Sequence, residues 1–367
     1  MYDYAIVGSG VAGCTLAKEL SGKKIVIEKG EKPKYVGEGK NVLVNYVVGL
    51  GGSAVFSVGN AIKLKIKGYK IEKDIYDEIF EELNIKEADN TFLNDIDKEF
   101  LNFGFKKTPK FIDFEKCNKC GKCASKICNA KWTPLNFLKQ SDADIITNFN
   151  IIKIEKEKEY FIIYCKNKKI KAKNIVLSAG AINSARILKS LYDYEEIGKN
   201  LFVDTFITVG GILKDSYLNE DVPMLVYKDY DDFILATHYS SLLYKEIKKE
   251  HKDIRSKDIV GLMIKIKDEM EGKVLKNNIK KEISKEDLKL LVRGISKATK
   301  YINKLGVEEI YSTIPRGSHP SGTLSFIKDF MFEDIYVCDS SLFKEPLGKP
   351  PVVSIIALAK KLSRELS

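Results

Sequence analysis

The chain opens on a short apolar run, Tyr4-Ala5-Ile6-Val7, that passes directly into Gly8, Gly10 and Gly13 and then into Cys14 to Leu20, where the apolar spacing becomes helical. A second apolar run, Lys24 to Ile27, ends on Glu28. This pattern predicts strand, glycine turn, helix and strand. Glu31 to Lys40 is polar and broken by Pro33, Gly37 and Gly39, which predicts a loop, and Asn41 to Val48 then leads to a second glycine cluster, Gly49-Leu50-Gly51-Gly52-Ser53. Helical spacing marks Ile75 to Leu83, Asp95 to Phe103, Asn183 to Leu191, Lys285 to Leu305 and Val352 to Leu366. Asp144 to Thr147, Asn150 to Ile154, Glu159 to Cys165 and Lys168 to Ala172 read as a small strand meander. A buried strand then returns at Lys173 to Leu177 and ends on Ser178-Ala179-Gly180. Long alternating strands fill Gly210 to Lys267, among them Phe233 to Tyr239 and Ile259 to Ile266, with a hairpin turn at Glu269 to Lys273. The last strand is Ile335 to Cys338.

These elements predict an α/β chain with a Rossmann-like, doubly wound nucleotide domain and a second domain of antiparallel sheet plus helix suited to a substrate. The nucleotide domain is discontinuous, over residues 1–60, 141–205 and 315–367. A helical segment, 61–140, carries a cysteine-rich insert at 117–128, and 206–314 forms the substrate domain.

The first glycines have a mechanical reading. Gly8 permits the tight turn, Gly10 lets backbone approach a pyrophosphate, and Gly13 lets the helix pack closely on the strand. Val11 and Ala12 are placed with them at the cofactor, and the N-terminal N–H groups and partial positive charge of the helix that follows suit phosphates. Glu28 is placed to accept hydrogen bonds from ribose hydroxyls, which favours an adenosine ribose without a 2′-phosphate. At the second cluster, Gly51, Gly52 and Ser53 are small enough for backbone to pass close to a flat ring or a phosphate.

Composition narrows the partners. The net charge of +10 comes from 61 basic residues spread among 51 acidic ones, and only five of the basic residues are arginine, so the lysines read as solvated faces rather than a nucleic-acid surface. No apolar run reaches the ~20 residues a membrane span requires. The absence of a leader before the first strand leads to the expectation of a cytoplasmic protein. Of the seven cysteines, Cys14, Cys165 and Cys338 sit in apolar or strand-like contexts and read as small hydrophobes.

The other four are Cys117, Cys120, Cys123 and Cys128, with Gly121 among them. Three thiols at this spacing look like a ferredoxin-type loop around one cluster, with Cys128 near enough to be the fourth ligand. Zinc, which prefers two separated pairs, ranks below [4Fe–4S], and a loop without metal stays open as well. Lys131 and Trp132 just beyond it read as packing.

Together the motifs resemble the glucose-methanol-choline oxidoreductases, FAD-dependent alcohol oxidases and dehydrogenases, in a short form with a ferredoxin-like cysteine cluster. The resemblance rests on Gly8 to Gly13 with Glu28, Gly51-Gly52-Ser53, Ile175 to Ala181, Ile197 to Leu201, Ser318-His319-Pro320-Ser321-Gly322-Thr323, Tyr336 to Ser341, and Gly348-Lys349-Pro350-Pro351. It implies FAD rather than NAD, held by the glycines above, by Ala179 and Gly180, by Asp339 and Ser340 at the ribityl or pyrophosphate region, and by Pro351 and Val352 at the start of the last helix. It also implies a CH–OH oxidation in which His319 takes the hydroxyl proton while hydride passes to flavin N5. His238 and His251 receive no such role. One departure matters: the family has His or Asn where this chain has Pro350, so the second polar group has to come from Lys349, Ser354 or water. The partners implied are a small alcohol or carbonyl substrate and, through the cysteine cluster, an electron-carrier protein. A flavin-dependent reductase of an unsaturated or carbonyl substrate, and a non-catalytic electron-transfer protein, are the alternatives.

Overall fold

In the computed structural model, which describes residues 1–366, the first strand, Tyr2–Val7, occupies the middle of an 8-stranded sheet. Across that sheet run Met331–Phe332, Ile335–Val337, Lys168–Leu177, Tyr2–Val7, Lys24–Ile27 and Asp144–Ile146, and from Ile335–Val337 to Asp144–Ile146 every pairing is parallel. Parallel neighbours need crossovers, and the helix Val11–Glu19 supplies the first. Helix Val352–Leu366 packs against it. There the Lys360 side chain, 3% exposed, is compensated by Glu19, Glu78 and Glu82 at 3.0, 3.3 and 3.2 Å.

Four expectations are corrected. Lys168–Leu177 is one strand of 10 residues, with no Gly or Pro to interrupt it. Its first half pairs antiparallel with Phe161–Cys165 and its second half parallel with Tyr2–Val7, so the meander is an extension of the parallel sheet. Asp144–Ile146 is a parallel edge strand beside Lys24–Ile27 and no part of that meander. The segment 31–40 contains a strand, Lys34–Glu38, paired antiparallel with Leu43–Val48. Its polar side chains hid it, because an edge strand needs backbone hydrogen bonds and can leave its side chains in water. The hairpin lies further on than expected: Lys273–Val274 pairs with Ile279–Lys280, while Gly272 bridges to Leu201 with no space for a Cβ, which would lie 2.5 Å from the Leu201 carbonyl oxygen.

The second sheet has 9 strands, mostly antiparallel, in the order Lys34–Glu38, Leu43–Val48, Arg316–Gly317, Phe206–Ile212, Ile259–Ile266, Phe233–Thr237, Val226–Asp229 and Lys106–Lys107, with Tyr311–Ser312 beside Phe206–Ile212. Alternation sorts its side chains. Ile207, Val209, Phe233, Leu235, Leu262 and Ile264 share a core with Leu291, Ala298 and Ile302 of the helix Lys285–Lys304. Their alternates, Phe206, Ile234, Met263 and Lys265, line a cavity on the opposite face. That helix is started by Ser284 and Asp287, each accepting from the other's backbone N–H. Among the described residues no helix is long and apolar enough to cross a membrane.

Candidate active site

A cavity of about 1070 Å³ lies between the carboxyl ends of the parallel strands and the free face of the second sheet. Open α/β sheets bind ligands at those strand ends. Val7, Ile27 and Ser178 deliver the chain to it, followed by Gly8, Glu28 and Ala179.

The first glycines divide their work. Gly8 has φ +101°, and a Cβ there would lie 2.5 Å from the Ser178 carbonyl oxygen; a Cβ on Gly13 would lie 1.9 Å from the Gly8 carbonyl oxygen. The protein's own backbone excludes side chains at both positions. A Cβ on Gly10 meets nothing within 4 Å and would project into the cavity. Of the residues expected at a cofactor, Gly8, Gly10, Val11, Ala12, Glu28, Gly52, Ser53, Ala179, Gly180, Asp339, Ser340, Pro351 and Val352 line the cavity, whereas Gly13 and Gly51 support it from behind. The size, the two helix starts at Val11 and Gly180, and the unpartnered Ser178 hydroxyl fit a dinucleotide.

Glu28 has a structural task as well. Its Oε2 accepts from the Ser9 N–H and hydroxyl at 3.0 and 2.7 Å, and its Oε1 accepts from the N–H groups of Gly30 and Gly49 at 3.1 and 3.2 Å. The carboxylate thereby ties the first glycine turn to the second. The Asp339 carboxylate does the same for the other helix start, accepting from the Gly180 N–H at 2.9 Å, the Ser184 hydroxyl at 2.6 Å and the Ser341 N–H at 2.8 Å. Burial pushes its carboxyl above the usual range.

His319 lines the cavity on the second-sheet side. Its Nδ1 lies 3.0 Å from Asp204 Oδ2, and Asp204 Oδ1 accepts from the Gly348 N–H at 2.9 Å. A carboxylate beside Nδ1 fixes the proton on that nitrogen and leaves Nε2 as the free acceptor. Burial and the nearby Lys265 charge hold the imidazole below its ordinary pKa, against the opposing pull of Asp204.

The substitutes proposed for the missing family residue are corrected by position. The Lys349 ammonium pairs with Asp229 at 2.6 Å, and Ser354 is fully buried inside the last helix; neither lines the cavity. Pro350 does line it. The polar groups that join His319 are ones the sequence reading passed over: His238, Lys265 and Arg316. His238 Nδ1 lies 2.9 Å from the Thr208 hydroxyl, and burial first, then Lys265, pushes its pKa down to about 4. The Lys265 ammonium donates to the Asp204 carbonyl at 3.2 Å and to the Ser318 hydroxyl at 3.4 Å. Burial lowers its own pKa. The one signal for Lys265 was a single cation inside the apolar strand Ile259–Ile266. His251 lies away from the cavity, with Glu309 and Tyr311 at 2.9 and 3.0 Å.

Cys117, Cys120, Cys123 and Cys128 are all free thiols on one loop, Cys123 buried and Cys120 exposed. The donor set suits an iron–sulfur cluster, but as the side chains stand no three His, Cys, Asp or Glu among the described residues converge on a metal position. The loop nevertheless adjoins the cavity, which Gly121, Ala124 and Ser125 line. The Lys131 side chain staples it there, donating to the carbonyls of Cys123, Val55 and Ser57. Lys110, fully buried, donates to the Val58 and Pro223 carbonyls and to Asn60 Oδ1. Among the described residues neither lysine is paired with a carboxylate. Trp132 packs edge-on against Phe111 and Phe137.

No family model matches the chain. The uncharacterized protein MJ1450 of Methanocaldococcus jannaschii is 66% identical over 370 residues, with both chains covered in full. Among solved structures, pyridoxine 4-oxidase from Mesorbium loti shares the fold at a TM-score of 0.70 and 12% identity, covering 99% of this chain and 98% of that one.

Proposed function

Because the chain belongs to one family with the M. jannaschii protein MJ1450, whose name states no activity, we propose its function from the site: an FAD-dependent oxidoreductase acting on a CH–OH group, of the glucose-methanol-choline type. The observation that carries this reading is His319, held by Asp204 with Nε2 free, in the same cavity as the glycine turn at Gly8 to Gly13. The fold shared with pyridoxine 4-oxidase supports it.

FAD bound along Gly10, Glu28, Gly52, Gly180 and Asp339 would supply the acceptor for two electrons as hydride. The remaining work belongs to side chains. His319 Nε2 takes the hydroxyl proton, and Asp204 holds the ring in the tautomer that allows it. The His238 Nε2 offers a second polar contact for the hydroxyl oxygen, at a site where Pro350 offers none. Burial, and after it the Lys265 charge, favours the neutral form of both imidazoles. The first turn of the helix from Val352 presents N–H groups to negative charge at its end of the cavity.

The proposal extends to the cysteine loop as the place of a [4Fe–4S] cluster and of the electron outlet to a carrier protein. Ligand spacing, the loop's place on the cavity wall, and the two buried ammonium groups of Lys110 and Lys131, suited to a thiolate-rich anion, support it. Anaerobically purified protein is expected to show flavin absorption, about four irons per chain, and bleaching of the flavin by alcohols. Cys120→Ser should remove the iron and leave the flavin. Stoichiometric zinc without iron would overturn the cluster, and a flavin that no alcohol reduces would overturn the oxidoreductase direction.

A further inference from the structure

Only five arginines occur in the chain, and four of them hold carboxylates: Arg186 holds Glu38, Arg255 holds Asp258, Arg293 holds Asp232 and Arg364 holds Asp74 and Glu78. Arg316 is the exception. It lines the cavity, its Nε is buried without a hydrogen-bond partner, and among the described residues no carboxylate pairs with it. Arg316 thus borders the cavity with a donor that the protein leaves unused, and planar oxyanions complete a guanidinium's hydrogen bonds best.

The strand register fixes its surroundings. Arg316 stands opposite Phe206, Phe206 opposite Lys265, and Lys265 opposite Ile234, so these four side chains form one row across the free face of the sheet. Residues directly opposite in a ladder share a face. Met263 and Met224 line the cavity beside this row. The wall is therefore apolar between two cations. Arg316 and the base lie on one segment, His319 being three residues further on, roughly 10 Å along extended chain.

Resting on the oxidoreductase reading above, we infer that Arg316 binds a carboxylate of the substrate, which makes the substrate a compact hydroxy acid. Its anionic end lies on Arg316, its apolar body lies over Phe206, Met224 and Met263, and its hydroxyl reaches His319. Lys265 is committed to Asp204 and Ser318 and acts on the imidazoles, so the anchor is Arg316 alone.

The test titrates purified holoprotein with benzoate, benzamide and phenyl phosphate, reading both the flavin spectrum and the heat of binding. Benzoate is expected to bind at least tenfold more tightly than benzamide. Arg316→Gln should abolish that preference and Arg316→Lys retain part of it, each with unchanged flavin content. Equal binding of benzoate and benzamide, or a preference that survives Arg316→Gln, would overturn the inference. Phenyl phosphate binding tenfold better than benzoate would overturn the carboxylate assignment. A loss of flavin in Arg316→Gln would place Arg316 at the cofactor and also overturn it. Protein that carries no flavin, yet shows calorimetric benzoate binding dependent on Arg316, would remove the FAD reading and sustain the anion site.

Discussion

The parallel-sheet wall of the cavity meets its occupant mainly with backbone, whereas the wall from the second sheet meets it with side chains. On the first wall, glycines at Gly8, Gly10 and Gly13 and the starts of two helices set the shape, and the carboxylates of Glu28 and Asp339 are occupied in holding that backbone together. On the second, Lys265 and Arg316 project from strands, His238 from just beyond Phe233–Thr237 and His319 from the segment following Arg316–Gly317. The difference teaches where each wall can be altered. On the proposed reading, a change in the first costs the cofactor, and a change in the second leaves it bound and alters what is done with it.

The largest expected effect lies on the backbone wall. Gly10→Val has room in the protein itself, so it should fold normally and lose essentially all flavin, as judged by the ratio of flavin to protein absorbance beside an unchanged melting curve. Full flavin occupancy in this variant would break the comparison. Across the cavity, His319→Ala should retain flavin and slow its reduction by alcohol by a factor of ~10² to 10⁴ in rapid-mixing experiments. Equal rates would remove His319 from the chemistry. Asp204→Asn should fold, because Asn tolerates the φ of +49° that Asp204 adopts, and should slow reduction by up to ~10⁴, because it no longer fixes the imidazole tautomer.

The smallest effect is a pH profile. Burial depresses both His319 and His238, the latter to about 4, so the neutral rings persist below the ordinary value of ~6.5. Flavin reduction should stay flat through neutrality and fall only at more acidic pH. Stability follows the same sign: both rings contribute stability that is present above pH ~6.5 and is lost as pH falls through their folded values, since the unfolded chain binds the protons first. A melting temperature unchanged from pH 7 to pH 4 would contradict the burial of the two imidazoles.

The two walls also differ in how far the sequence reveals them. Backbone demands leave spacing, and the intervals among Gly8, Gly10, Gly13 and Glu28 make the strand, glycine turn, helix and second strand legible in the sequence. The side-chain wall leaves single residues, and nothing adjacent to His238 or Arg316 marks them. They become neighbours through pairings between distant strands, such as Phe206 with both Lys265 and Arg316. Lys34–Glu38 escaped for a related reason, since an edge strand is defined by its partner's backbone and not by its own apolar residues. Lys349 and Ser354 were expected at the site because they are close to Pro350 in sequence. The helix turns Ser354 inward and Asp229 draws Lys349 away.

The position of the first strand in its sheet sets a schedule for synthesis. Tyr2–Val7 has Lys168–Leu177 as one neighbour, and the helix that follows it is covered by Val352–Leu366. The glycine turn is therefore synthesised well before the segments that enclose it. At roughly 5 to 20 residues per second, it waits on the order of half a minute for the helix Val352–Leu366, so one wall of the cavity stands open to water for most of that interval.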